Sequence, residues 1–155
     1  MTLVRDLLRT AVSKAGRWTL LLPLACMSLI FCLSSLPGSK LPTWGIGFID
    51  LGNFLHFPVY YGLGILWLIA LEARRVPERK GAFLAVFLAT LFGALDEVHQ
   101  SFVPLRYMDF WDGVVNCAGA TCAALTWGWS KPLFFASIAP REAKGSPVGL
   151  PSERE

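Results

Sequence analysis

Long apolar stretches separated by short polar segments dominate the pattern of this chain. They run from 18 to about 36, from 51 to 71, from 81 to about 102, and from about 110 to 130. A helix rises about 1.5 Å per residue, so a stretch near 20 residues crosses the hydrocarbon core of a bilayer. The pattern therefore predicts an all-α, polytopic integral membrane protein, built as a bundle of four transmembrane helices.

Helix-breaking residues mark the boundaries between these stretches. Pro37 and Gly38 follow the first stretch, Pro77 lies in the charged loop after the second, and Pro104 follows the third. We divide the chain into a basic amphipathic lead (1–17), the four-helix domain (18–130) and a tail (131–155). The tail is rich in Pro, Gly, Ser and charge, so we expect it to be disordered.

Composition supports a membrane protein. Hydrophobic residues make up 54% of the chain and charged residues 16%, whereas soluble domains carry about 25% charged residues. The basic residues flank apolar stretches instead of forming one polar face, so we expect no binding of nucleic acid. All four cysteines lie inside apolar stretches without close pairing, which is typical of small apolar residues in helices.

The distribution of basic residues predicts the orientation. Of the 14 lysines and arginines, 12 fall in the lead, in the loop between the second and third helices, or in the tail. Lys40 and Arg106 are the exceptions. Because cytoplasmic loops carry an excess of Lys and Arg, both termini are predicted to be cytoplasmic.

Polar residues of the helices then fall at one depth, near the outer face. His56 is early in the second helix, Asp96 and Glu97 are late in the third, and Asn116 is early in the fourth. Intramembrane charge costs roughly 2.5 to 3.5 kcal/mol per residue at a helix centre, so such residues turn toward the bundle interior or a wet cavity. The sequence predicts a polar site there.

Several interpretations of this cluster remain open. It could be a structural network, in which Arg106 neutralises Asp96 or Asp112 and Asn116 bridges helices. General acid–base catalysis on a lipid-linked substrate is another, although no Ser or Cys nucleophile stands in an obvious elbow. A purely structural helper of another membrane protein is a third class.

Metal binding is a further interpretation of the polar cluster. His56, Asp96, Glu97 and His99 are acceptable types of zinc ligand. No H-E-x-x-H or comparable spacing is present, so we expect no metal and no cofactor.

Three motifs resemble the VanZ-like membrane protein family, which is named for a teicoplanin-resistance protein. They are F-C-L-S-S-L-P at 31–37, H-F-x-x-Y-x-x-L-G at 56–64, and D-E-V-H-Q-S-F-V-P-L-R at 96–106, continued by Asp112, Asn116 and Gly119. The likeness covers about 31–119. The chain departs from the family pattern at Gly52-Asn53, where the family often has Asp-Lys, and at Leu105, where it often has Gly.

The resemblance implies a multi-pass protein of the bacterial inner (plasma) membrane, acting in the cell envelope and connected with teicoplanin resistance. Our leading hypothesis is an outer-face pocket that binds a lipid-linked or lipidated headgroup, with membrane lipids, an envelope precursor or a lipoglycopeptide as partner. The alternative is a membrane-embedded hydrolase or transferase acting on an envelope lipid. The sequence does not distinguish the binding protein from the enzyme, and it does not give the oligomeric state.

Specific roles follow from this hypothesis. Arg106 would anchor the ligand, Asp96 and Glu97 would accept hydrogen bonds from it, and Asn116 would bridge helices. The predicted ligand-binding residues are His56, Tyr60, Asp96, Glu97, Gln100, Arg106, Asp112 and Asn116.

Overall fold

Helices form almost all of the described structure. The computed structural model describes residues 16, 18–40, 45–46 and 49–136, and the surroundings of side chains at 16, 18–39 and 55–132. Its α-helices are α1 (Leu21–Ser34), α2 (Leu51–Ala73), α3 (Glu78–Gln100) and α4 (Phe110–Ala136). The all-helical prediction is confirmed. Within the predicted first loop, strands β1 (Gly45–Ile46) and β2 (Ile49–Asp50) make one minimal antiparallel pairing, with Gly45 opposite Asp50.

The observed helix ends differ from the predicted ones in instructive ways. A single 3-10 turn, Trp18–Leu20, precedes α1, which stops at Ser34 because the chain turns before Pro37. Another 3-10 turn, Gly38–Lys40, follows. The fourth helix continues past the predicted end at 130 to Ala136, through Pro132. The lead, apart from residue 16, and the tail from 137 onward lie outside the described residues.

Two of the described helices are long and apolar enough to cross a membrane. They are Leu55–Ala73 and Glu78–Gln100, while Trp18–Ser34 is a shorter apolar helix. These two helices therefore have the length and composition that the sequence predicted for membrane spans. The four-span topology and the location of the termini stay predictions.

The central helix is α2, which packs against all three others and most extensively against α4. Its buried side chains include Leu63, Leu68 and Leu71, whereas large apolar side chains such as Phe83 on α3 and Leu125 on α4 are 68% and 79% exposed. Apolar residues thus cover the outside of the bundle as well as its core, as expected when lipid tails surround it.

Small residues allow the close approach of α2 and α4. A Cβ added at Gly119 would lie 2.5 Å from the Phe57 carbonyl oxygen, and one at Gly64 would lie 2.8 Å from the Ala123 Cβ. Glycine at these two positions therefore permits the close packing of α2 and α4. Gly62 has no such role, because a Cβ there would meet nothing within 4 Å.

Two turns, one at each end of α3, use a non-glycine residue in the left-handed region. Arg75 has φ 58° and Leu105 has φ 60°. At Arg75 the chain forms a Schellman motif, in which the Val76 N–H donates to the Leu71 carbonyl and the Arg75 N–H to the Glu72 carbonyl. Left-handed φ favours glycine, which explains why glycine often occupies the position of Leu105 in the VanZ-like pattern.

Candidate functional site

The functional candidates lie at one end of the bundle, where α1 and α3 end and α2 and α4 begin. We call this the polar end, and the opposite end the basic end. Every buried polar or charged side chain of the described residues lies at the polar end. These residues are Ser34, Asp96, Glu97, Gln100, Asp112 and Asn116, each at most 8% exposed.

Asp96 joins α1 to α3. One carboxylate oxygen, Oδ1, accepts a hydrogen bond from the Ser34 hydroxyl at 2.6 Å, and Oδ2 accepts one from the Gln100 amide at 3.0 Å. His99 Nδ1 lies 4.0 Å from Oδ1. Both oxygens are therefore satisfied within the protein, and Asp96 holds the end of α1 against the bundle.

Glu97 lies one residue further along α3 and has different partners. Its Oε2 accepts a hydrogen bond from the backbone N–H of Asp109 at 3.0 Å, which fixes the loop before α4. Its Oε1 is buried and has no hydrogen-bond partner among the described residues. Among the same residues no lysine or arginine forms an ion pair with Asp96 or Glu97. The carboxylate of Glu97 thus keeps an unused acceptor in a buried position.

A third group links α2 to α4. His56 Nδ1 lies 3.0 Å from Asn116 Oδ1, and His56 Nε2 lies 3.7 Å from Asp112 Oδ2. An amide oxygen can only accept, so the geometry assigns the hydrogen to Nδ1 of His56. The predicted role of Asn116 as a helix-bridging amide is confirmed. Its Nδ2 is buried without a partner among the described residues.

Tyr60 and Gly93 shape the space beside this group. The Tyr60 ring stacks parallel to His56 with ring centroids 6.4 Å apart, and its buried hydroxyl has no partner among the described residues. A Cβ at Gly93 would lie 3.0 Å from both Asn116 Nδ2 and Tyr60 Cε1. Glycine at 93 therefore leaves room for both side chains.

Arg106 stands apart from the carboxylates. It is partly exposed, its Nε is buried without a partner, and it forms no ion pair with Asp96, Glu97 or Asp112 in the described part of the chain. The neutralising pair considered in the structural-network interpretation is therefore absent there. Arg106 retains its hydrogen-bonding capacity for another group.

The structure brings most predicted site residues into contact. Asp96 pairs with Gln100, and His56 links Asn116 to Asp112. Sequence reasoning missed Ser34 as the partner of Asp96, although Ser34 stands in the F-C-L-S-S-L-P motif. The backbone N–H of Asp109 was also missed, because main-chain donors leave no signal in residue identity.

The residues that lie close enough together to share a metal ion differ from the four suggested by the sequence. One ligand atom each of His56, Glu97 and Asp112 lie within 4.8 Å of one another. Asp96 and His99, which share the ligand chemistry, do not belong to this group. Helix geometry explains the difference, since Asp96 and Glu97 are about 100° apart around α3 and face different neighbours.

Fold and site together define a helical bundle with membrane-spanning character and a buried polar cluster at one end. The sequence model of the VanZ/LLP1 family matches residues 9–131, which is most of the chain. The chain belongs to the VanZ/LLP1 family and is a VanZ-like membrane protein. No curated protein and no solved structure gives a significant match.

Proposed function

We propose that this VanZ-family protein binds the polar headgroup of a lipid-linked or lipidated envelope molecule at its polar end. The protein would lie in the bacterial inner (plasma) membrane with four spanning helices and both termini in the cytoplasm. The polar end would then face outward. Binding, and no reaction, is the activity we propose.

Exposed apolar side chains support four spanning helices. Leu29 on α1 is 60% exposed and Trp129 on α4 is 86% exposed, so these helices need an apolar surrounding as much as α2 and α3 do. The 3-10 turn and α1 together extend over about 27 Å, close to the roughly 30 Å of the hydrocarbon core. The basic loop between α2 and α3 lies at the basic end, which supports placing that end in the cytoplasm.

The main support for headgroup binding is a set of unused hydrogen-bond donors at the polar end. Asn116 Nδ2, Arg106 Nε and the Tyr60 hydroxyl are buried and have no partner among the described residues. A buried polar group left unsatisfied costs about 1–3 kcal/mol. A headgroup rich in phosphate or sugar oxygens would supply the missing acceptors, and its lipid chains would lie along the apolar outside of the bundle.

Native mass spectrometry of the purified protein with envelope lipids tests this proposal. We expect the wild type to retain a specific lipid adduct, and Arg106→Ala to lose it at least tenfold. Arg79→Ala is the matched control, because Arg79 is an exposed arginine at the basic end. Equal adducts in all three proteins, or none in the wild type, would contradict headgroup binding at the polar end.

A link to teicoplanin is a narrower form of the same proposal. Teicoplanin is a lipoglycopeptide, so its lipid tail and sugar-rich head match the class of ligand proposed for the polar end. Expression in a sensitive bacterium should raise the inhibitory concentration of teicoplanin, and Arg106→Ala should remove the increase. An equal increase with Arg106→Ala would separate any resistance from the site.

A further inference from the structure

The acceptor atoms of the polar end form a group of their own. His56 from α2, Glu97 from α3 and Asp112 from α4 each offer a ligand atom within 4.8 Å of the other two. Around a metal ion with bonds of about 2.1 Å, neighbouring ligand atoms lie roughly 3–4 Å apart. The 3.7 Å between His56 Nε2 and Asp112 Oδ2 already meets this spacing, and small side-chain rotations would bring in Glu97.

Asn116 prepares His56 as a ligand. The neutral imidazole, with its hydrogen on Nδ1 and donated to Asn116 Oδ1 at 3.0 Å, presents the lone pair of Nε2 on its other side. Metal-bound histidines are typically oriented in this way by a hydrogen bond from the second ring nitrogen. Nε2 and Asp112 Oδ2 are then two acceptors facing each other, an arrangement that a cation between them would stabilise.

Glu97 supplies an independent observation. Its side chain is 4% exposed, Oε2 is fixed by the Asp109 N–H at 3.0 Å, and Oε1 is buried without a partner among the described residues. An ionised carboxylate in such a position is costly unless a cation compensates it. Neither lysine nor arginine forms an ion pair with Glu97 in the described part of the chain.

We propose that His56 Nε2, Glu97 Oε1 and the Asp112 carboxylate bind one divalent transition-metal ion, zinc or manganese. One imidazole nitrogen and two carboxylate oxygens suit these ions, whereas Mg²⁺ and Ca²⁺ are bound by oxygen alone. Three protein ligands leave a coordination position for water or for an oxygen of a ligand. The metal site does not depend on headgroup binding, because it uses the acceptors and the headgroup proposal uses the donors.

Metal binding by the purified full chain, carrying a tag without polyhistidine, tests the proposal. After chelation, the protein is titrated with Zn²⁺ or Mn²⁺ and its metal content is measured by elemental analysis and native mass spectrometry. We expect one ion per chain in the wild type and at least tenfold weaker binding in His56→Ala and in Glu97→Gln. His99→Ala is the matched control, since His99 is the other histidine of the chain and lies outside the group.

The possible results of this titration either support or overturn the proposed metal site. Saturable binding of one ion, lost in the two ligand variants and kept in His99→Ala, supports the site. Absence of saturable binding in the wild type, or equal binding in all variants, overturns it, and the wild-type titration alone decides if a ligand variant does not fold. The readout contains no lipid, so headgroup binding and metal binding can fail separately.

Discussion

The two ends of the bundle handle charge in opposite ways. At the basic end, Arg74 donates to the Thr19 hydroxyl and to the Ala70 carbonyl at 2.9 Å, and Lys131 pairs with Glu72 at 2.8 Å. These groups are partly exposed, and each has a hydrogen-bond or ion-pair partner within the protein. At the polar end, carboxylates are buried, and Asp96 and Glu97 have no lysine or arginine partner among the described residues.

This difference indicates at which end of the bundle a ligand is expected to bind. At the basic end, the Arg74–Thr19 and Lys131–Glu72 contacts join neighbouring elements, and the remaining charged side chains described there, such as Arg79 and Lys80, are exposed to solvent. At the polar end only part of the hydrogen-bonding capacity is used internally. The remaining donors and acceptors, on Glu97, Asn116, Tyr60 and Arg106, are the physical reason for proposing ligands there.

The largest contrast between the ends is expected from removing a carboxylate. Asp96→Ala leaves the Gln100 amide buried without its partner and the Ser34 hydroxyl with only the Phe31 carbonyl to donate to, so we expect the free energy of unfolding to fall by about 3 kcal/mol. Glu72→Ala, the counterpart at the basic end, breaks a partly exposed pair and should cost less than about 1 kcal/mol. Thermal or denaturant unfolding in detergent measures both, and equal losses would mean that burial does not distinguish the two ends.

Gly119→Ala should have the next largest effect. The added Cβ would lie 2.5 Å from the Phe57 carbonyl oxygen, forcing α2 and α4 apart beside Asn116, so we expect a loss of roughly 2 kcal/mol. Gly62→Ala is the control, because its Cβ meets open space and alanine favours a helix by about 1 kcal/mol over glycine. The contact between α2 and α4 would be unimportant if the two variants unfolded alike in detergent.

A smaller effect is expected from the two serines that end α1. Ser34→Ala removes the buried donor to Asp96, and we expect the free energy of unfolding to fall by about 1–2 kcal/mol. Ser35→Ala removes only an exposed bond to the Phe31 carbonyl and should change stability by less than about 0.5 kcal/mol. A larger loss in Ser35→Ala would show that Asp96 does not hold α1 through Ser34.

The smallest predicted change is a gain at both ends. Leu105→Gly and Arg75→Gly each relieve a left-handed φ, and part of the gain is offset by the greater freedom of glycine in the unfolded chain. We therefore expect each variant to be more stable by about 0.5–1 kcal/mol in the same unfolding assay. Destabilisation by either glycine would show that side-chain contacts outweigh the backbone strain.

Much of the fold could be predicted because apolar stretches and proline positions report helices directly. The end of α1 at Ser34 and the extension of α4 to Ala136 were harder to predict from the sequence, since helix ends depend on local hydrogen bonds. The gathering of the polar residues at one end of the bundle was predictable from their positions along the helices. Its division into an Asp96 group and a Glu97 group was not, because two neighbouring residues on a helix face different neighbours only once the packing is known.

The most direct test of the account is the side of the membrane on which each end lies. Tyr107→Cys places a thiol in the exposed loop at the polar end, and Arg79→Cys places one at the basic end. A membrane-impermeant thiol reagent is applied to intact cells (spheroplasts where an outer membrane blocks it), with the parent chain giving the background from its four helical cysteines. We predict labelling of Tyr107→Cys in intact cells and of Arg79→Cys only after the membrane is permeabilised. Labelling of Arg79→Cys in intact cells, with Tyr107→Cys protected, would contradict an outward-facing binding site.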